Sequence, residues 1–194
     1  MFPFDFTPPN PESGSADQPA TWPLQGCSAA SRHFQQQLAE RYQRGQLSLA
    51  QVHAKLAAAT FQLVYRSQAT SPPTPEQLQQ LVQRARQANT AAHITGLLLY
   101  CDGQYIQVLE GPHEAVQRLF VRINHDPRHQ QVVVVSQGHL PVPQFAGWRM
   151  AFGFADALEP EAVLAAIGQA CARAELNLSS QQLQELLGSF VNPA

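Results

Sequence analysis

Charge is scarce in this chain: Asp, Glu, Lys and Arg make up 13% of its 194 residues. Twelve basic residues stand against fourteen acidic ones, for a net charge of -2. Nucleic acid is bound through clustered Lys and Arg, so this balance excludes it as a partner. No run approaches the roughly 20 consecutive apolar residues that a membrane-spanning helix needs, and no membrane segment is expected. The first ten residues lack a basic start and are broken by Pro3, Pro8 and Pro9, which argues against a secretory signal. Cysteine is limited to Cys27, Cys101 and Cys171, far apart and odd in number. That spacing gives neither a disulfide framework nor a CxxC pair. It fits a reducing cytoplasm, with each cysteine a small buried hydrophobe. His113, His125 and His129 share no helical face with a carboxylate at ligand spacing, apart from His125 and His129 across a proline turn, so no metal is expected.

The hydrophobic fraction is 44%, that of a globular protein with one domain of ordinary size and some appendages. Residues 1–26 are rich in Pro, Ser and Gly with little periodicity, the composition of a disordered tail. Residues 27–59 read as two short helices. Phe34, Leu38 and Tyr42 recur every four positions up to Gly45; Ser48 and Gln51 then form a capping box ahead of Val52, Leu56 and Ala59. Residues 156–194 carry two more amphipathic stripes, one through Val163, Leu164, Ile167 and Cys171, the other through Leu183, Leu186, Leu187, Phe190 and Val191.

Between them, residues 60–155 read strand, helix, strand, strand, helix, strand. Thr74, Pro75 and Gln77 give an N-cap, a first-turn proline and a box residue, after which Leu78, Leu81, Val82, Ala85 and Ala88 line a helix running to about Asn89. Residues 93–101 and 104–110 form a hairpin around Asp102-Gly103, a favoured tight-turn pair. Gly111-Pro112 opens a second helix with Val116, Leu119, Phe120 and Ile123 inward, and Asp126-Pro127 closes it. The four valines Val132 to Val135 sit in a strand over 131–138. This order predicts an α+β fold, the ferredoxin-like βαββαβ.

The strands carry polar residues where a plain core would use hydrophobes. Phe61-Gln62-Leu63-Val64-Tyr65-Arg66-Ser67 sets a tyrosine among apolar neighbours, and Gln104-Tyr105-Ile106-Gln107-Val108-Leu109-Glu110-Gly111 does the same with a glutamine. A buried phenol or amide is costly unless hydrogen-bonded, so such groups serve a partner. In the split βαβ order the first and third strands are central neighbours. Parity then puts Tyr65 on the face of Leu63, and Gln107 on the face of Tyr105 and Leu109. If both faces look toward the helices, the two groups meet. A glutamine amide offers two donors and an acceptor, so turning it reverses what it presents.

Taken with Asn89, the Ile94-Thr95-Gly96 step, Asp126-Pro127-Arg128-His129 and Phe145-Ala146-Gly147-Trp148-Arg149-Met150, these runs resemble the BLUF family of blue-light sensors over about 90 residues. The resemblance implies a fifth strand around 148–154 and a flavin, FAD in the family, with FMN or riboflavin as variants, held between the two helices. It implies that Tyr65 gives an electron and then a proton to the excited flavin, both of which return, and that Gln107 is left rearranged. Asn89 and Arg128 would bond the flavin edge and carbonyl, with Asp126, His129 and Ser67 supporting. Trp148 and Met150 would carry the signal. On this reading the chain is a cytoplasmic photoreceptor and not an enzyme, and its output runs through a homo-oligomer or a separate effector protein. The flanking helices, with their apolar stripes, would cover the open sheet face and form the oligomer interface. Two departures stand out: Ala88 replaces a polar residue common before the asparagine, and Tyr105 puts a second phenol near Tyr65. The alternatives are a flavin-dependent oxidoreductase, for which no Gly-rich dinucleotide loop is present, and a cofactor-free ferredoxin-like regulatory module.

Overall fold

A computed structural model describes residues 27–147, 149–154, 163–165 and 167. The expected tail, Trp148, Cys171 and the stripe from Leu183 lie outside the described residues. The elements are α1 (Ala29–Gln43), α2 (Leu49–Ala58), β1 (Thr60–Ala69), α3 (Pro75–Ala91), β2 (Thr95–Cys101), β3 (Gln104–Gly111), α4 (His113–Asn124), β4 (His129–Leu140) and β5 (Arg149–Phe154). The sheet order is β4-β1-β3-β2-β5. β1 runs antiparallel to β3 and β4, β2 is antiparallel to β3, and β5 joins β2 in parallel. This is the ferredoxin-like arrangement with a fifth strand added at the β2 edge.

Local chemistry accounts for the element ends. Thr74 Oγ1 accepts from the Gln77 amide at 3.3 Å and Gln77 Oε1 accepts from the Thr74 amide at 2.9 Å, closing a capping box ahead of Pro75. Ser48 and Gln51 do the same for α2. Asp102 and Gly103 have φ of 43° and 73°, the pair of positive angles that a two-residue hairpin turn requires.

The two sheet faces are covered differently. Phe61, Leu63 and Tyr65 pack with Leu78 and Val82 of α3 and Val116 of α4. Val64, Leu97, Leu99, Ile106 and Val108 form the opposite face with Phe145, Val163 and Ile167. Each such fully buried aliphatic side chain contributes about 1.5–3 kcal/mol. α1 lies along the second face beside β4, with Ser31 fully buried against Gly138.

Val133, Val134 and Val135 are 47%, 39% and 38% exposed, because β4 is an outer strand paired only with β1 and its register slips there. Two expectations shift. α3 continues to Ala91, and its buried stripe passes through Leu78, Val82 and Asn89, leaving Ala88 exposed. Tyr42 is also exposed, and Leu47 joins Leu38 and Val52 in the small α1–α2 core in its place.

Candidate functional site

The register of β1 and β3 sets Tyr65 directly opposite Gln107, with both side chains on the helix-covered face. Tyr65 is fully buried, and its hydroxyl donates to Gln107 Oε1. Gln107 Nε2 in turn donates to Met150 Sδ at 3.2 Å. The three residues form one hydrogen-bonded chain across β1, β3 and β5. Burial, and after it the charge of Asp126, hold the Tyr65 phenol far above its ordinary pKa. It stays protonated at any working pH. Phe120 of α4 packs on its ring, centroids 5.4 Å apart.

Met150 is held at a second point. Arg86 of α3 donates from Nε to the Met150 carbonyl at 3.0 Å. Its φ is +81°, in the left-handed region that an unbranched bulky residue enters only when its surroundings impose it.

The loop before β4 supplies a polar corner. Asp126 and Arg128 form a forked ion pair, with Arg128 Nε on Oδ1 at 2.8 Å and Nη2 on Oδ2. The guanidinium brings the Asp126 carboxyl down to about 2. Ser67 Oγ and His129 Nδ1 are 2.7 Å apart, and the His129 ring lies 4.6 Å from that of Tyr105. Burial lowers the His129 pKa, keeping the ring neutral. A cleft of about 230 Å³ opens beside this corner, lined in part by Leu78, Leu81, Arg84, Tyr105 and Arg128.

Asn89 closes α3. Its side chain is buried, and Nδ2 is the buried side-chain polar atom that finds no partner among the described residues. A donor left in that condition costs about 1–3 kcal/mol, a penalty that a ligand carbonyl would remove.

The family model described as sensors of blue light using FAD matches residues 60–151. The solved BLUF unit of BlrP1 is 32% identical, covering 68% of this chain and 88% of that one with a TM-score of 0.50. The chain belongs to the BLUF family. The dark-state BLUF protein BlrB shares its fold, at 24% identity, 96% coverage of that chain and a TM-score of 0.51. Photoactivated adenylate cyclase subunit beta of Euglena longa is 44% identical over 73 residues, which are 38% of this chain and 8% of that protein. The blue light- and temperature-regulated antirepressor BluF of Escherichia coli is 31% identical over 83 residues, 43% of this chain and 21% of its own length. The chain thus spans only a small part of these curated relatives. No helix among the described residues is long and apolar enough to cross a membrane.

The BLUF match takes in Tyr65, Ser67, Asn89, Gln107, Asp126, Arg128, His129 and Met150. The structure joins Tyr65, Gln107 and Met150 in one chain and Ser67, Asp126, Arg128 and His129 in one corner, while Asn89 Nδ2 is hydrogen-bonded to neither. A flavin fits this donor set, since its ring carbonyls suit the orphaned Asn89 Nδ2. Replacing Asn89 with leucine is expected to leave the flavin-free protein as stable or up to about 2 kcal/mol more stable while lowering flavin occupancy. Melting curves of the flavin-free and loaded forms check this, and an unchanged occupancy counts against Asn89 as a ligand.

Two groups escaped the sequence reading. Arg86 gave no sign of reaching β5. Glu110 is fully buried on the opposite sheet face, where it accepts from Gln62 Nε2 at 2.8 Å and from the Gln144 and Phe145 amides at 2.9 and 2.8 Å. Burial pushes its carboxyl up to about 7 against the pull of those three donors. A carboxylate in alternation with Ile106 and Val108 was the available signal.

Proposed function

We propose that this chain is a blue-light photoreceptor which holds FAD at the α3 face of the sheet and signals through Tyr65, Gln107 and Met150. The observation that carries the reading is the Tyr65–Gln107–Met150 chain, in which a fully buried phenol has an amide oxygen as its acceptor. Bound flavin supplies absorption of blue light and, once excited, an acceptor for one electron. Tyr65 is the source of that electron. Oxidation makes a phenol strongly acidic, so its proton would follow the electron toward the flavin by way of the existing bond to Gln107 Oε1, and both would return to Tyr65 with Gln107 left turned. Gln107 then no longer presents the same donor and acceptor to its neighbours, and Nε2 gives up its weak thioether acceptor. Asn89 and Arg128 would hold the ring carbonyls, with Asp126 fixing the guanidinium and Ser67 keeping His129 in place. These residues grip the ring more than the tail, so flavin released on denaturation identifies FAD against FMN or riboflavin.

Output passes through a homo-oligomer or a separate effector in the cytoplasm. The exposed valines of β4 support association of this kind. The experiment is the visible spectrum before and after blue illumination. Flavin bands with a small red shift that decays in the dark are expected. A colourless protein returns the cofactor-free regulatory module, and turnover of a diffusible substrate in the dark returns the oxidoreductase. Light scattering on the same samples is expected to give an assembled species, and one unchanged monomer in dark and light removes the homo-oligomer.

A further inference from the structure

Glu110 stands three residues after Gln107 on β3 and faces the other side of the sheet, outside the machinery described so far. Its carboxylate pins the backbone of Gln144 and Phe145, and Gln62 Nε2 bridges Glu110 Oε1 and Gln144 Oε1 at 2.8 and 3.1 Å. Five residues further on is Met150, whose sulfur is held by Gln107 and whose backbone is held by Arg86 in an unfavourable φ. Five residues reach at most roughly 17 Å, so Phe145 and Met150 are tied by a short connection. One end answers to Gln107 and the other to Glu110, and both of those sit on the same strand.

Phe145 links this circuit to the far face. It is fully buried in one cluster with Val64, Ile106, Val108, Val163 and Ile167. Val163 and Ile167 belong to the segment after the BLUF match. Turning the Gln107 amide would set Oε1 against Met150 Sδ, acceptor against acceptor, and remove what holds the sulfur. Met150 can then relax its backbone and shift the stretch that leads back to Phe145.

We propose that Glu110 is a positioning residue of the photocycle, the fixed point that makes a change at Met150 bear on Phe145 and so reach Val163 and Ile167. Without the clamp the same change is absorbed in the segment before β5. This inference rests on the photoreceptor reading and adds the route by which the signal leaves the flavin face. A carboxylate suits the role because it only accepts, and three donors converge on it. The Glu110→Gln amide cannot accept all three, and its NH2 group opposes the backbone donors.

The test compares light and dark hydrogen exchange in the full-length, flavin-loaded protein over peptides covering 141–150 and 163–167, with the visible spectrum read alongside. The wild type is expected to show the red shift and a light-induced change in exchange at both peptides. Glu110→Gln is expected to keep the red shift and lose the change at 163–167. A purely structural role would alter dark-state exchange and leave the light-minus-dark difference in place. Retention of the 163–167 response in Glu110→Gln overturns the proposal. Should that variant not fold, Phe145→Ala keeps the backbone clamp but removes the ring, and a retained response there overturns it equally. A wild type with the red shift but no response at 163–167 sinks this inference alone. A wild type with no red shift sinks the photoreceptor reading, and this inference with it.

Discussion

Tyr65→Phe leaves a yellow protein whose spectrum no longer shifts in blue light. The variant keeps the ring that packs on Phe120 and every other contact of the cleft, so flavin stays bound. What it removes is the single oxidisable O–H that donates to Gln107 Oε1. Burial keeps that phenol protonated in the dark, so the electron leaves a protonated phenol and its proton follows from this hydroxyl. Without the proton there is nothing to drive the amide out of its present orientation. The expected effect is complete loss of the light-minus-dark difference, and an undiminished shift removes Tyr65 from the mechanism. Stability falls as well, by about 1–2 kcal/mol, because Gln107 Oε1 is left buried without its donor. Tyr105 remains in the variant, its phenol also raised by burial. It packs on Tyr100 and His129, and any residual photochemistry in Tyr65→Phe is expected to disappear when Tyr105 is also changed to phenylalanine.

The encounter of Tyr65 with Gln107 was legible in the sequence because strand parity and the split βαβ order are both short-range rules. Alternation assigns a face, and the order of elements assigns neighbours. The capping box at Thr74 and the Asp102-Gly103 turn were legible for the same reason. The four valines marked β4 as a strand but not its place in the sheet, since β-branched residues in a row look the same in a central strand and at an edge. Asn89 and Ala88 differ by one position on a helix, and only packing against β5 and the sheet decides which is buried. Alternation gave the face of Glu110, but the partners of its clamp were not legible. They lie 48, 34 and 35 positions away, and two of them are backbone amides that carry no side-chain signature. Arg86 reaching a carbonyl 64 positions on is of the same kind. Local chemistry reports the elements, whereas bonds to distant backbone appear only once those elements are packed.

Gly96→Ala is expected to cost the most stability of any single methyl added to this sheet. A Cβ there would come 1.9 Å from the Val108 carbonyl oxygen and 2.9 Å from its carbonyl carbon. Both are backbone atoms of the adjoining strand and cannot turn aside. β2 lies between β3 and β5, so it has no free side toward which to move. The φ of +150° at Gly96 adds its own penalty for an L side chain. Strain of about 1–3 kcal/mol from the dihedral and a similar amount from overpacking give roughly 3–5 kcal/mol, a large part of a domain's usual stability of about 5–15 kcal/mol. Gly103→Ala is the matching control. Its φ is +73° with nothing within 4 Å of the added methyl, and the cost should be only about 1 kcal/mol. Urea unfolding of the two variants separates the cases, and a Gly96→Ala midpoint as close to wild type as that of Gly103→Ala would show that β2 and β3 do not meet as described. The function depends on that meeting. The register that brings Gly96 to Leu109 also brings Leu98 to Gln107, so a methyl that forces β2 from β3 also moves β5 and Met150 away from the amide. Any Gly96→Ala protein that does fold should therefore bind flavin and shift only weakly in light.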